Sequence, residues 1–290
     1  MSRSLIIGAS GQVGGHLANE LTELNREFTV SHYHSSIENS ILLDICNKEN
    51  VFRWIETINP SIIYFPAAIA NVDYCEQNPD KSYKINVQGV ENIVEAAIYF
   101  ESQLVFFSTD YIFDGRNGPY SEEDTPAPLC MYGRQKLIAE NIIAMRLTNY
   151  IIIRTTIVYG WERQGKNFVL RLIRTLQNNQ EIKVPTDQIG TPTYAPYLAK
   201  TSVQLAESKV KGIYNIAGKD LVNRYDFACE VAKIFKCDKS LIIPVKTNDL
   251  HQPAVRPLNA GLKINKVLQI LNTLPLEFDR YLELMAKAMQ

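Results

Sequence analysis

A tyrosine and a lysine stand four residues apart in Met131-Tyr132-Gly133-Arg134-Gln135-Lys136. The stretch reads as helix, so both side chains project from one face toward the same point. A phenol is a poor acid near neutral pH, with an ordinary pKa of ~10. An ammonium held beside it stabilises the phenolate and draws that value down. The pair is therefore a candidate proton donor with a tuning cation. Tyr and Lys at this spacing also occur on many solvated helical faces, so the pair gains meaning only from what surrounds it.

Two neighbouring features supply that meaning. Near the start, the apolar run Ser4-Leu5-Ile6-Ile7 passes directly into Gly8-Ala9-Ser10-Gly11-Gln12-Val13-Gly14, after which Val13, Leu17, Leu21 and Leu24 recur at helical spacing. A strand, a glycine-rich turn and a helix in that order bring backbone N–H groups and a helix N-terminus to one place, where a pyrophosphate can be received. Gly8, Gly11 and Gly14 allow the tight turn, the approach of backbone to phosphate and the close packing of helix on strand. The second feature is Leu104-Val105-Phe106-Phe107-Ser108-Thr109-Asp110. It is an apolar strand ending in small polar residues, at the carboxyl edge where ligands bind in an open α/β sheet. Ser108 or Thr109 can donate to a substrate carbonyl there, or cap the following turn.

Strand-like and helical patterns alternate through the first half: Phe28–Val30, a helix on Val51, Trp54, Ile55 and Ile58, then Ile62–Phe65, a helix on Val90, Ile93, Val94 and Ala97, then Leu104–Phe107, the helix of Tyr132, and Tyr150–Ile153. Strands that are apolar on both faces predict a parallel, doubly wound α/β sheet. Beyond Gly160 the rhythm changes. Helices are expected on Val169–Leu176, Leu198–Leu205 and Phe278–Met289, a short strand around Ile182 and Val184, and a late strand at Ile213–Ile216 returning to the main sheet. The second lobe is thus smaller and discontinuous.

With 290 residues, 30 basic against 31 acidic side chains and no basic block, the chain carries no electrostatic footprint for nucleic acid. No apolar run of transmembrane length and no signal peptide is read, so a soluble, cytoplasmic protein is expected. Cys46, Cys75, Cys130, Cys229 and Cys237 are scattered and indicate neither a disulfide framework nor a zinc site. Cys130 reads as a buried bystander.

Together these segments resemble the extended short-chain dehydrogenase/reductases, and within them the dTDP-4-dehydrorhamnose reductase group. The resemblance runs nearly the full length. Its more specific parts are Ser108-Thr109-Asp110-Tyr111-Ile112-Phe113-Asp114-Gly115 and Asp187-Gln188-Ile189-Gly190-Thr191-Pro192-Thr193, with Arg154–Gly160, Asn167-Phe168 and Arg256–Asn259 in support. It implies an NAD(P)-binding Rossmann domain over 1–156 and a mainly substrate-binding lobe over 157–290, with about 190–222 returning to the first domain. The implied reaction is reduction of the C4 carbonyl of a 4-keto-6-deoxyhexose nucleotide, most simply dTDP-4-dehydro-L-rhamnose, in the service of lipopolysaccharide or cell-wall polysaccharide synthesis. Thr109, Tyr132 and Lys136 are the implied catalytic residues, with Ser108 standing in for Thr109, and no metal is called for.

Cofactor contacts are expected from Gly8, Ser10, Gly11, Gln12, Val13, Gly14, Asp44, Ile45, Ala67, Ala68, Tyr132 and Lys136. Asp44 matches the residue that holds the adenine amino group, and Asn86 the asparagine that supports the lysine. Pro66 stands where relatives usually have Asn. After the second strand, Ser31-His32-Tyr33-His34-Ser35-Ser36 contains no acidic residue to hold an NAD ribose, so NADPH is favoured, with NADH possible. Substrate contacts are expected from Thr109, Asp110, Tyr132, Asn167, Gln188, Thr193 and Arg256, the last either facing the diphosphate or forming an ion pair. Ile157 replaces a Trp common in relatives. A homodimer is possible. The alternatives are another nucleotide-sugar reductase or epimerase, and a non-catalytic NADP-binding subunit like the regulatory beta subunit of methionine adenosyltransferase, against which the Asp187–Thr193 motif weighs.

Overall fold

The computed structural model describes residues 3–271 and 273–289. Its first half runs β1 (Ser4–Ile7), α1 (Gln12–Glu23), β2 (Phe28–His32), β3 (Ser40–Leu42), α2 (Lys48–Ile58), β4 (Ile62–Phe65), α3 (Val72–Gln77), α4 (Pro79–Tyr83), α5 (Gly89–Tyr99), β5 (Gln103–Thr109), α6 (Met131–Arg146) and β6 (Tyr150–Thr155). The second half runs β7 (Val158–Tyr159), α7 (Phe168–Gln177), β8 (Ile182–Pro185), β9 (Ile189–Gly190), β10 (Thr193–Tyr194), α8 (Ala195–Glu207), β11 (Gly212–Asn215), β12 (Val222–Asn223), α9 (Arg224–Ile234), β13 (Ile242–Val245), α10 (Asn265–Ile270) and α11 (Phe278–Ala288).

Seven strands form one parallel sheet in the order β11-β6-β5-β4-β1-β2-β3. Period-two alternation divides its side chains between two cores. Leu5, Ile7, Ile63, Phe65, Leu104, Phe106 and Ile152 face α2, α5 and α6. Ile6, Tyr64, Val105, Phe107, Ile151 and Ile153 face α1, α8 and the second lobe. Burial on both faces explains why the strands read as continuous apolar runs. The expected doubly wound sheet is present, and β11 occupies its edge beside β6.

The smaller lobe is built from three two-stranded pieces, β7 with β10, β8 with β13 and β9 with β12. The segment between them crosses back: β10 belongs to the lobe, whereas α8 lies against α1. Helix α8 begins at Ala195, earlier than the periodicity of Leu198–Leu205 indicates, because Pro196 occupies its first turn, where a missing N–H costs nothing. The shortest elements carry no clear sequence signature. Strand β3 is three residues long, and Lys84–Gln88 forms a π-helical turn between α4 and α5. Among the described residues no helix is long and apolar enough to cross a membrane.

Candidate active site

Strand order reverses between β1 and β4, and a crevice opens at their carboxyl ends. Gly8 lies there with φ of 95°, and a Cβ on it would sit 2.8 Å from the Ala67 Cβ; a Cβ on Gly14 would lie 2.4 Å from the Gly8 carbonyl oxygen. The turn is therefore closed to any side chain at these two positions. Helix α1 follows with Gly11 at its N-cap, no side-chain cap and no acidic residue in its first turn. Its leading N–H groups and positive dipole end are left for an anion, so the residues present fit a dinucleotide pyrophosphate.

Gln164 Nε2 donates to the Ser10 carbonyl at 3.0 Å and Gln12 Nε2 to the Gly160 carbonyl at 3.4 Å, laying the loop after β7 across this turn. Sequence motifs did not reveal that contact. Val13 packs against the core below, and Ala67 N–H donates to the Ile7 carbonyl at 3.2 Å, holding Ala67 and Ala68 beside the crevice despite Pro66. Asp44 is half-buried and its carboxylate accepts the Cys46 N–H at 2.9 Å. Ile45 is buried, with its side chain over Gly89. At the end of β2, His32 Nδ1 pairs with Ser40 Oγ at 2.7 Å, tying it to β3, while His34 and Ser35 are exposed.

The residues expected to handle the proton lie where β5 ends and α6 begins. Thr109 Oγ1 accepts the Tyr111 N–H at 3.2 Å and donates to Asp110 Oδ1 at 3.1 Å, so it both caps the turn and stays fixed in the crevice. Ser108 Oγ is buried with no hydrogen-bond partner among the described residues. A Cβ on Gly133 would lie 2.1 Å from the Tyr111 carbonyl oxygen. Its absence lets α6 pack on the Asp110–Ile112 turn, and this close approach brings the Tyr132 phenol to the Thr109 hydroxyl. Tyr132 is buried, edge-on to Tyr111 with ring centroids 5.9 Å apart.

The electrostatics differ from the sequence expectation. Burial, and then the Asp110 carboxylate, push the Tyr132 phenol above its ordinary value, while the Thr109 hydrogen bond pulls it back. Lys136 does not set it. Its own amine is desolvated, 3.8 Å from the Phe106 ring centroid, and falls to about 7 despite the opposing pull of Glu140. The amine thus lies over the aromatic face of Phe106, on the interior strand β5. Burial likewise raises Asp110 to about 6, against the opposing hydrogen bonds from Thr156 (2.6 Å) and Thr109.

Lys136 yields a stability prediction. Its ordinary value of 10.5 applies to the unfolded chain and about 7 to the fold, so between these limits the unfolded state binds more protons and stability rises with pH. The cost of burying Lys136 is complete below pH 7 and gone above about pH 10.5. Lys136→Met is expected to raise unfolding free energy at pH 7 by on the order of 1–3 kcal/mol, a gain that fades as pH approaches 10.5. Urea melts across that range check it; a gain independent of pH would refute it.

Helix α6 buries the polar side chains of Gln135, Lys136 and Glu140, and among the described residues each but the lysine has hydrogen-bond partners. Gln135 bridges Asn86, Ser82 and the Pro79 carbonyl. Asn86, in the π-helical turn, is 2% exposed and clasps both backbone polar groups of Ile69. Glu140 holds Arg154 through contacts of 2.8 to 3.2 Å. Cys130 is buried beside Tyr132 together with Cys75.

The expected substrate residues scatter more. Asn167 caps α7 through the Leu170 N–H and donates to the Gly160 carbonyl at 2.9 Å. Gln188 reaches Thr247 at 3.3 Å, and Asp187 accepts from the Thr247 hydroxyl at 2.7 Å, so this motif orders the loop after β13. That loop lines a cavity of about 390 Å³ together with Asp114, Leu129 and Arg256. Thr193 is fully buried between β10 and its surroundings, its hydroxyl on the Thr191 carbonyl at 3.1 Å; it faces packing rather than the cavity because β10 pairs with β7. Arg256 pairs with Asp73 at 2.8 Å, the ion-pair alternative of its two readings. Ile157 adopts a φ of 42°, an outlier for a β-branched residue, at the turn between β6 and β7.

Comparison with known proteins fits this geometry. The family model for the RmlD substrate binding domain matches residues 2–290. A dTDP-4-dehydrorhamnose reductase of Aggregatibacter actinomycetemcomitans is 35% identical over 295 residues, covering 98% of each chain. The crystal structure of a dTDP-4-dehydrorhamnose reductase from Bacillus anthracis, in complex with NADP, superposes with a TM-score of 0.91 at 30% identity, covering 99% of this chain and 100% of that one. Methionine adenosyltransferase 2 subunit beta of Rattus norvegicus is 29% identical over 272 residues, covering 91% of this chain and 81% of its own. The match spans the glycine turn, the Thr109–Tyr132–Lys136 group and the smaller lobe alike, and the chain belongs to the RmlD substrate-binding-domain family.

Proposed function

We propose that the protein is an NADPH-dependent reductase of a 4-keto-6-deoxyhexose nucleotide, converting dTDP-4-dehydro-L-rhamnose to dTDP-L-rhamnose. The observation that carries this reading is the convergence of Thr109, Tyr132 and Lys136 at the carboxyl end of β5, beside a glycine turn shaped for a pyrophosphate, in a chain similar end to end to such a reductase. When bound, NADPH supplies the hydride. Gly8, Gly11, Gly14 and the N-terminus of α1 would hold its pyrophosphate, Ala67 and Ala68 would border it, and Lys136 would meet the nicotinamide ribose.

The chain's own residues do the rest. Thr109, and Ser108 with its unpartnered hydroxyl, orient the C4 carbonyl oxygen. Tyr132 gives that oxygen its proton as charge develops, a general-acid role. Burial keeps the phenol protonated until an oxyanion forms next to it, and excludes water from the transfer. Lys136, titrating near neutrality, regains its charge in the presence of a negative neighbour and steadies the phenolate left behind. The product, a 6-deoxyhexose nucleotide, suits polysaccharide assembly in the cytoplasm. A panel of 4-keto sugar nucleotides scored by NADPH oxidation tests the reading; no oxidation with any of them would refute it. The likeness to methionine adenosyltransferase subunit beta favours a second reading, a cofactor-binding subunit without turnover.

Cofactor choice follows from the missing carboxylate after β2. NADPH should bind at least as tightly as NADH. Ser35→Asp should reverse the preference by roughly tenfold, as the new charge repels the 2′-phosphate and offers the NADH ribose an acceptor. Fluorescence titration of both nucleotides checks it, and a strong NADH preference in the unaltered protein would refute it.

A further inference from the structure

Asp110 follows Thr109 directly in the chain, and the hydride and proton transfers give it no task. It is 6% exposed. Both carboxylate oxygens are occupied by hydroxyls: Thr109 Oγ1 lies 3.1 Å from Oδ1, and Thr156 Oγ1 lies 2.6 Å from Oδ2. Thr156, just past β6, is buried, and its hydroxyl makes no other hydrogen bond among the described residues. An ionised carboxylate can only accept, so both threonines must then donate to it. A hydroxyl carries a single proton and two lone pairs. Thr109 thus commits its proton to Asp110 and one lone pair to the Tyr111 N–H at 3.2 Å. A carbonyl oxygen also only accepts. While Asp110 is charged, Thr109 has no proton left for the C4 carbonyl.

A protonated Asp110 reverses this. Thr156 has no other acceptor for its proton among the described residues, so it continues to donate to Oδ2 and leaves the acid proton on Oδ1, facing the Thr109 oxygen. Asp110 then donates to Thr109, whose own proton is released to the crevice. The setting favours the acid. Burial raises Asp110 to about 6, against the hydrogen bonds from Thr156 and Thr109 and the charge of Arg224 at the start of α9. Tyr111, in the same turn, and Tyr132, on α6, also sense this carboxylate, and burial holds both phenols neutral. Closing the crevice over cofactor and substrate removes further water, which favours the uncharged form again.

We propose that Asp110 acts as an uncharged carboxylic acid that donates to Thr109 and so turns the Thr109 hydroxyl toward the C4 carbonyl, with Thr156 holding the acid in that orientation. Both are positioning residues, since both act through Thr109. The acid proton stays on Asp110 throughout, and the proton delivered to the alkoxide remains that of Tyr132. Thr109 then presents a fixed, buried donor to the oxygen on which charge develops, an oxyanion-hole role. The carbonyl as recipient rests on the reductase reading; the reversal of the Thr109–Asp110 hydrogen bond does not.

The test joins infrared spectroscopy of the NADP complex to kinetics with saturating NADPH and dTDP-4-dehydro-L-rhamnose. The carboxylic-acid C=O band assigned by its loss in Asp110→Asn should persist to about pH 6 in the parent, where exposed carboxyls have already ionised. Thr156→Val removes a hydrogen bond to the charged form, so the band should persist to higher pH, and Thr156→Ser should return it toward the parent. The amide of Asp110→Asn always donates. The ratio of its kcat to that of the parent should therefore rise about tenfold to hundredfold from about pH 5 to about pH 8, as the parent loses its acid proton. Lys136 titrates near 7 in both proteins and leaves that ratio unaffected. In a Thr109→Val background the ratio should stay flat, because the hydroxyl through which Asp110 acts is gone. A ratio that still rises there would mean that the charge acts directly on Tyr132, and would overturn the proposal. So would a flat ratio with Thr109 in place, or no acid band at about pH 5. The band and its response to Thr156 without reduction of any keto sugar would leave the Asp110–Thr109 switch standing and remove the reductase reading. Reduction by a parent that lacks the band would do the reverse.

Discussion

Tyr132→Phe should lower kcat by about 10²- to 10⁴-fold, the usual worth of a positioned general acid. The substitution preserves the ring, its edge-on contact with Tyr111 and its place in the cluster with Cys75, Cys130 and Ala254. Only the transferable proton and the link to Thr109 are removed. Folding and NADPH affinity should therefore be close to those of the parent. Because burial and Asp110 already hold the phenol protonated, the variant exchanges one neutral group for another, and stability should change little. Single-turnover reduction of a 4-keto sugar nucleotide gives the measurement. Full activity in Tyr132→Phe would remove the phenol from the mechanism. A parent that binds NADPH and oxidises it with none of the substrates would favour the cofactor-binding subunit instead.

The second large effect is on stability. Glu140 and Arg154 form an ion pair with side chains 2% and 3% exposed, and Arg154 also donates to the Glu122 carbonyl at 3.2 Å. This pair joins α6 to β6 directly behind the lysine. Removing one member leaves the other charge buried and unanswered, which costs about 3–5 kcal/mol. Glu140→Ala is expected to fall in that range by urea unfolding with an unchanged slope. Replacing both members by apolar residues, Glu140→Met with Arg154→Leu, should recover much of the loss, since no lone charge then remains. A Glu140→Ala loss below about 1 kcal/mol would place the pair with weak surface ion pairs. The double replacement should still lower turnover, because among the described residues Glu140 is the charge that favours the protonated form of Lys136.

What the sequence determined was local and periodic. The runs at Leu5–Ile7, Ile62–Phe65, Leu104–Phe107 and Ile151–Ile153 have both faces apolar, and only a sheet covered on two sides can bury them. The Gly8–Gly14 turn was legible because strand, glycines and helix are consecutive in the chain. The Tyr132–Lys136 pair was legible because helical spacing alone puts them on one face. What tertiary structure decided was every contact between segments distant in sequence. The drop of Lys136 to about 7 depends on its burial, against the Phe106 ring of β5, which spacing does not encode. Thr193, part of a specific motif, is buried because its two-residue strand pairs with β7, and a strand so short carries no period. Asn86 acts through Ile69 and Gln135 because a π-helical turn rotates it inward. Periodicity reports which face of an element is buried, whereas charge, desolvation and hydrogen bonding depend on what is packed against that face, and that is settled only when the chain closes.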